Sequence, residues 1–173
     1  MIKAMATDDV IAPFRSDKHD HFACIEDALA VAEELCRKQR VSLTALRRRV
    51  LELIWGRHGP VGAYELLDQL RAERRGAAPP TIYRALDFLL ENRLIHRIES
   101  LNAYVGCAGP ATSHGGQFLI CHGCGLVAEL DDGAIARRVR SRAQSLGFTV
   151  ERQTIEIMGM CPKCGAEAVD DAG

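Results

Sequence analysis

The first half of the chain is written in helical period. Between Phe22 and Gln39, Ile25, Ala28, Leu29, Ala32, Leu35 and Cys36 recur three and four apart, the spacing of one buried helix face. Thr44 stands as an N-cap ahead of a second helix that runs to about Arg57. Leu46, Val50, Leu53 and Ile54 form its inner stripe, Arg47, Arg48 and Arg49 point largely elsewhere, and Gly56 with Gly59-Pro60 ends it. A third helix over 63–75 turns Leu66, Leu67 and Leu70 inward, with Asp68 and Arg71 spaced to pair. After a break at 76–80, Pro79-Pro80 opens a fourth, because the first helical turn does not need the proline's missing N–H. Ile82, Leu86, Leu89 and Leu90 make its buried face; Tyr83, Arg84 and Asp87 point away. Alternation then replaces the helical period: LIHRIES, a turn near Leu101-Asn102 and AYVGC predict a hairpin.

The second half changes character. Residues 107–116, CAGPATSHGG, read as a linker. QFLICHGCG and LVAEL are two strand patterns around a cysteine pair. DDGAIARRVRSRAQSLG is a helix with Ile135, Val139, Ala143 and Leu146 on one side, FTVERQTIEIMGM is a strand, and CPKCG with a short acidic tail closes the chain. The fold class is α+β. A mobile tail covers 1–20, an N-terminal winged helix-turn-helix domain 21–106, the linker 107–116, and a small C-terminal α/β domain 117–173. Three helices followed by a hairpin, with Tyr83 and Arg84 outward early in the last helix, is the order in which a recognition helix enters the major groove of DNA. Arg84 could then donate two bonds to a guanine edge. Its plain role is a surface ion pair, and the same helix order also serves protein-interaction modules.

Charge sharpens this reading. Net charge is −1, yet residues 40–100 carry 11 basic against 7 acidic side chains, and all 11 are arginine, the side chain suited to phosphate and guanine. A solvated helix surface laced with ion pairs is the competing explanation. No apolar run reaches the roughly 20 residues of a membrane span, and the N-terminus lacks a signal peptide's order, so a cytoplasmic protein without a membrane partner is expected. Cytosolic thiols stay reduced, which makes the seven cysteines candidates for metal ligation or thiol chemistry rather than disulfides. Cys36, beside Leu35 on the apolar side, reads as a small buried hydrophobe.

Cys121-x-x-Cys124-Gly125 and Cys161-x-x-Cys164-Gly165 are the strongest motif. A two-residue gap lets both thiolates of a pair reach one ion, and two pairs supply a closed tetrahedral zinc site with no place for water, hence a structural one. Iron in the same sulfurs and a pair of dithiol switches are the alternatives. His96, Cys107, His114 and Glu129 are scattered candidates for a second site, each with a comfortable role as an ordinary strand, core, loop or surface residue. No catalytic fingerprint is present, so neither an enzyme nor a small-molecule substrate is expected.

PPTIYRALDFLLENRLIHRIESLNAYVGC followed by the two CxxCG pairs resembles the ferric uptake regulator family, and within it the zinc uptake regulator branch. The resemblance covers about residues 28–165. It implies a homodimeric, zinc-responsive transcriptional repressor of zinc uptake genes that binds a palindromic double-stranded operator, with the C-terminal domain as the dimerisation domain. It implies two zinc ions per subunit: a structural one on Cys121, Cys124, Cys161 and Cys164, and a regulatory one on His96, Cys107, His114 and Glu129. Tyr64, Tyr83 and Arg84 fall on its DNA-contacting positions. Iron and peroxide sensors of the family carry a histidine cluster before the first knuckle, where TSHGGQFLIC offers one histidine. LTALR at Leu43–Arg47 also departs from the family's LTPQR.

Overall fold

The computed structural model describes residues 10–14, 21–57, 59–73, 78–110 and 116–170. In chain order the elements are β1 (Val10–Ala12), α1 (His21–Gln39), α2 (Ala45–Trp55), β2 (Val61–Gly62), α3 (Ala63–Glu73), α4 (Pro79–Glu91), β3 (Ile95–Ile98), a 3-10 turn (Glu99–Leu101), β4 (Ala103–Gly106), β5 (Gly116–Cys121), β6 (Val127–Leu130), α5 (Gly133–Ser145), β7 (Thr154–Gly159) and α6 (Pro162–Asp170). They divide into two compact units, one within Ser16–Thr112 and one drawn from Met1–Arg15 together with Ser113–Gly173.

The first unit is a winged helix. The expected stripes converge on one core: Leu29, Ala32 and Cys36 of α1, Val50 and Ile54 of α2, Leu66, Leu67 and Leu70 of α3, and Ile82, Leu86 and Leu89 of α4. Each large aliphatic side chain so buried contributes about 1.5–3 kcal/mol. Thr44 caps α2, its hydroxyl accepting from the Arg47 N–H. In α4, Phe88 is buried and Leu90 only partly so, because the Arg47 guanidinium lies 3.6 Å from the centre of the Phe88 ring and covers it. Helices α1 and α4 each end with an arginine in the left-handed region, Arg40 and Arg93. The amides of Val41 and Leu94 reach back to Cys36 and Leu89 at 3.0 and 2.9 Å, the closure that usually recruits glycine. The turn at Arg93 sends the chain into β3. Strands run in the order β2-β4-β3, with Arg97 opposite Tyr104 and His96 opposite Val105.

Much of the arginine excess is neutralised inside this unit. Arg48 pairs with Glu33 and Glu52, Arg49 with Glu52 and Glu73, Arg57 with Glu65, and Asp68 with Arg71 at 3.6 Å.

The second unit is a four-stranded sheet in the order β1-β6-β5-β7, antiparallel except for the parallel pair β5–β7, which α5 bridges in sequence. Asp132 caps α5, accepting from the Ala134 and Ile135 amides at 2.7 and 3.2 Å. Three expectations change here. The mobile tail over 1–20 contains a strand, Val10–Ala12, whose Ala12 stands opposite Glu129. The linker over 107–116 yields its last residue, Gly116, to β5. The last strand is only Thr154–Gly159, and the closing acidic tail begins as α6. No residue of α5 is buried: its apolar side, with Ile135, Val139 and then Leu146, stays exposed in the single chain.

An edge strand left unpaired is a template for association. Deleting residues 1–14 is therefore expected to lower the melting temperature by about 2–4 °C per kcal/mol of lost pairing in a chain of this size and to promote self-association. Calorimetry and light scattering check this. Unchanged melting and scattering would show that β1 contributes nothing to the sheet.

Candidate metal centre

The four knuckle cysteines come together although 40 residues separate the pairs. β5 and β7 run parallel with Cys121 opposite Gly159, so Cys161 leaves its strand beside the end of β5. Cys124 lies in the turn after β5, and Cys164 in the first turn of α6. The sulfurs of all four lie within 4.8 Å of one another. Gly125 adopts φ +73, the left-handed conformation that glycine allows, and its amide closes the first knuckle on the Cys121 carbonyl at 2.8 Å. Gly165 is different: it sits within α6, its amide on the Cys161 carbonyl at 2.9 Å, so the helix start shapes the second knuckle. A residue that sequence reasoning passed over is Gly123. A Cβ there would stand 3.1 Å from the Cys164 sulfur, so any side chain at the knuckle tip would press on the second pair.

The electrostatics suit a thiophilic cation. The Cys161 amide donates to the Cys121 sulfur at 3.2 Å, and the Cys164 amide to the Cys161 sulfur at 3.5 Å. Hydrogen bonding from the Cys161 backbone, then from Cys124, brings the Cys121 thiol down to about 6. Cys164 is pushed up to about 12, first by hydrogen bonding with the Cys161 sulfur and then by burial. One thiolate thus stands ready while a neighbour resists ionising beside it. Four thiolates in this space require a cation, and an all-sulfur tetrahedral set fits zinc. No disulfide joins any of the seven cysteines. Cys36 is buried, which raises its thiol pKa, as expected of a core position.

The scattered candidates have distinct placements. His96 on β3 and Cys107 just after β4 are brought together, their ligand atoms within 4.8 Å. The Cys107 amide donates to the Leu94 carbonyl at 3.1 Å, extending the hairpin and fixing that approach. Glu129 belongs to the second unit, on β6 opposite Phe118, and its side chain is buried. A buried carboxylate needs a hydrogen bond or a cation to offset its lost hydration. His114 lies outside the described residues.

On the winged unit, Tyr64 is 69% and Tyr83 40% exposed, so both side chains reach solvent. Arg84 is exposed on α4 and, among the described residues, makes no ion pair, unlike Arg48 and Arg49.

A winged helix-turn-helix unit in one chain with an α/β unit that gathers four thiols defines a metal-binding winged-helix protein. The chain belongs to the ferric uptake regulator family, whose model matches residues 38–158. It is 39% identical over 140 residues to the zinc uptake regulation protein of Escherichia coli (strain K12), covering 80% of this chain and 82% of that one. Among solved structures it resembles a zinc uptake regulator complexed with zinc and DNA, at TM-score 0.80 and 38% identity over 84% of this chain and 97% of the other. It also resembles the holo form of XcZur, at TM-score 0.75 and 42% identity over 81% and 98%. No helix among the described residues is long and apolar enough to cross a membrane.

Proposed function

We infer that this chain is a zinc-responsive, DNA-binding transcriptional regulator and not an enzyme, acting as a homodimer. The observation that carries the reading is the winged unit itself, with Tyr83 and Arg84 exposed on α4, in one chain with a four-cysteine centre. The exposed apolar residues Val139, Leu146, Phe148, Ile157 and Met158 of the second unit support dimerisation, since an apolar face of this kind marks an interaction surface.

Within that function we assign two zinc ions per subunit. Cys121, Cys124, Cys161 and Cys164 hold the structural ion. His96, Cys107, His114 and Glu129 hold the regulatory one. His96 and Cys107 offer ligands from the wing, and Glu129 offers one from β6. A dimer presents two α4 helices to an operator with two half-sites. When bound, zinc supplies a Lewis-acidic centre that favours the DNA-competent arrangement, and DNA tightens zinc by the same factor. Repression of zinc uptake genes in the cytoplasm follows as the physiological role.

The test is selection of a duplex from a random-sequence pool by the zinc-loaded protein, then a gel shift with and without zinc. The selected duplex should be palindromic and shift only with zinc. Arg84→Ala should weaken it by about 1–3 kcal/mol and relax preference at one base position in each half-site. Zinc-independent binding, or an Arg84→Ala protein with unaltered preference, would overturn the reading.

A further inference from the structure

The wing has a core side and a ligand side, and one contact on the core side governs the other. Along β4, Tyr104 and Gly106 share a face, because successive residues of a strand point to opposite sides. Opposite them on β3, Ile95 pairs with Gly106 and is buried in the helical core, as is Tyr104. His96 and Val105 pair on the other face, the one that continues to Cys107. On the core face, Gly106 leaves a notch that Trp55 fills from the end of α2. A Cβ at Gly106 would stand 2.3 Å from the indole Cε2, 2.5 Å from Nε1 and 2.8 Å from Cδ2. These are distances that no real Cβ tolerates, and the ring cannot swing away freely because it packs against the core cluster. The bare backbone of β4 therefore lies flush on the indole, one residue before Cys107. Helix α2 in turn packs on α4, which carries Tyr83 and Arg84.

We propose that Trp55, seated in the notch at Gly106, is a positioning residue for the metal sensor: it fixes the end of β4 so that Cys107 meets His96, and it joins that strand to the helices that address DNA. This rests on the reading of His96 and Cys107 as sensor ligands. Trp55 touches neither metal nor DNA; it acts through the strand. As the single tryptophan of the chain, it also reports the event in its own emission. Filling the sensor changes the strain and packing at Gly106, and the indole senses it.

The experiment titrates zinc into full-length dimer that already holds the four-cysteine ion, following tryptophan emission and, by competition with a chromophoric chelator, zinc affinity. Wild type should change its emission as the second ion binds, and Cys107→Ser should not. Gly106→Ala should keep the first ion and the dimer mass but bind the second about tenfold or more weakly. Pairing Gly106→Ala with Trp55→Leu removes the clash and should bring affinity back to within about threefold of wild type, a coupling that only contacting positions show. A residue needed merely for folding would lower the melting temperature and the first-ion content together with the affinity for the second. If Gly106→Ala precipitates, Trp55→Phe serves instead: it should weaken the second ion while leaving the first and the melting temperature in place. Wild-type affinity in Gly106→Ala, or in Trp55→Phe where that replaces it, or a double variant no better than the single, overturns the proposal. If Cys107→Ser still binds the second ion with wild-type affinity, the sensor assignment itself fails, and with it this inference.

Discussion

Cys107→Ser is expected to leave the protein folded and dimeric but to remove the zinc dependence of operator binding. The exchange is close in volume, and the backbone bond from residue 107 to the Leu94 carbonyl survives it, so the hairpin stays closed. What changes is the ligand. A buried sulfur ligand beside His96 becomes a neutral hydroxyl, a poor partner for zinc in a set with imidazole and carboxylate. The four-cysteine site is untouched, and metal analysis should find its ion in place. Couplings between an effector and a second ligand typically lie at about 1–3 kcal/mol, or roughly 5–150-fold in affinity. In Cys107→Ser that factor should collapse towards unity. Fluorescence anisotropy on the selected duplex, with zinc buffered by a chelator, measures it directly. Sedimentation confirms the dimer. A variant that still binds DNA only with zinc would remove Cys107 from the sensor. The weaker donor set also predicts an order of release: chelators should strip the sensor before the four thiolates.

The helices of the winged unit are legible in the sequence because each carries its own period. Leu66, Leu67 and Leu70 point inward whatever they meet. Leu90 and Phe88 were not separable in this way. Both lie near the edge of the buried arc of α4, and the choice falls to Arg47, a residue of another helix laid over the phenyl ring. Short elements leave no periodic trace. β2 has two residues and β1 three, and both exist because a longer strand offers them an edge, β4 for one and β6 for the other. Helix α6 was hidden by its own motif: Cys164-Gly165 reads as a knuckle, yet Pro162 at the helix start was the available sign. The four-cysteine centre was legible because each pair's spacing is local, though their meeting depends on the parallel pairing of β5 with β7. The approach of His96 to Cys107 follows from hairpin register. Trp55 against Gly106 was not legible, since nothing local in either segment announces a contact between a helix end and a strand end. The charge pattern misled in part: Arg48 and Arg49 belong to ion pairs within the unit, whereas Arg84 is exposed and, among the described residues, makes no ion pair.

Cys161→Ser should unfold the second unit and abolish the dimer with it. The two units differ in how they are held. The principal hydrophobic cluster lies entirely in the winged unit. The second unit buries few apolar side chains, chiefly Phe118, Ile120 and Ala128, together with Cys121 and Cys161 themselves. Burial of one large apolar side chain contributes about 1.5–3 kcal/mol, whereas ordering each residue's backbone costs about 1–2 kcal/mol. So thin a core does not hold a sheet of four strands and two helices without further help. Small domains in this position use a metal or a subunit partner. Here the metal ties the end of β5 to the start of α6, and structural zinc in thiolate-rich sites contributes apparent binding energies of about 10–16 kcal/mol at neutral pH. Losing one thiolate opens the tetrahedron and exposes the remaining sulfurs to exchange and oxidation. Amide hydrogen exchange should show β5, β6 and β7 unprotected in Cys161→Ser, while α2, α3 and α4 keep their protection and Trp55 its emission maximum. Exhaustive chelation of the wild type should reach the same state slowly, and added zinc should reverse it under reducing conditions. A Cys161→Ser protein with a protected sheet and dimer mass would mean that the four sulfurs gather for some purpose other than holding the fold, and dithiol chemistry, read by oxidant titration, would then be the reading to pursue.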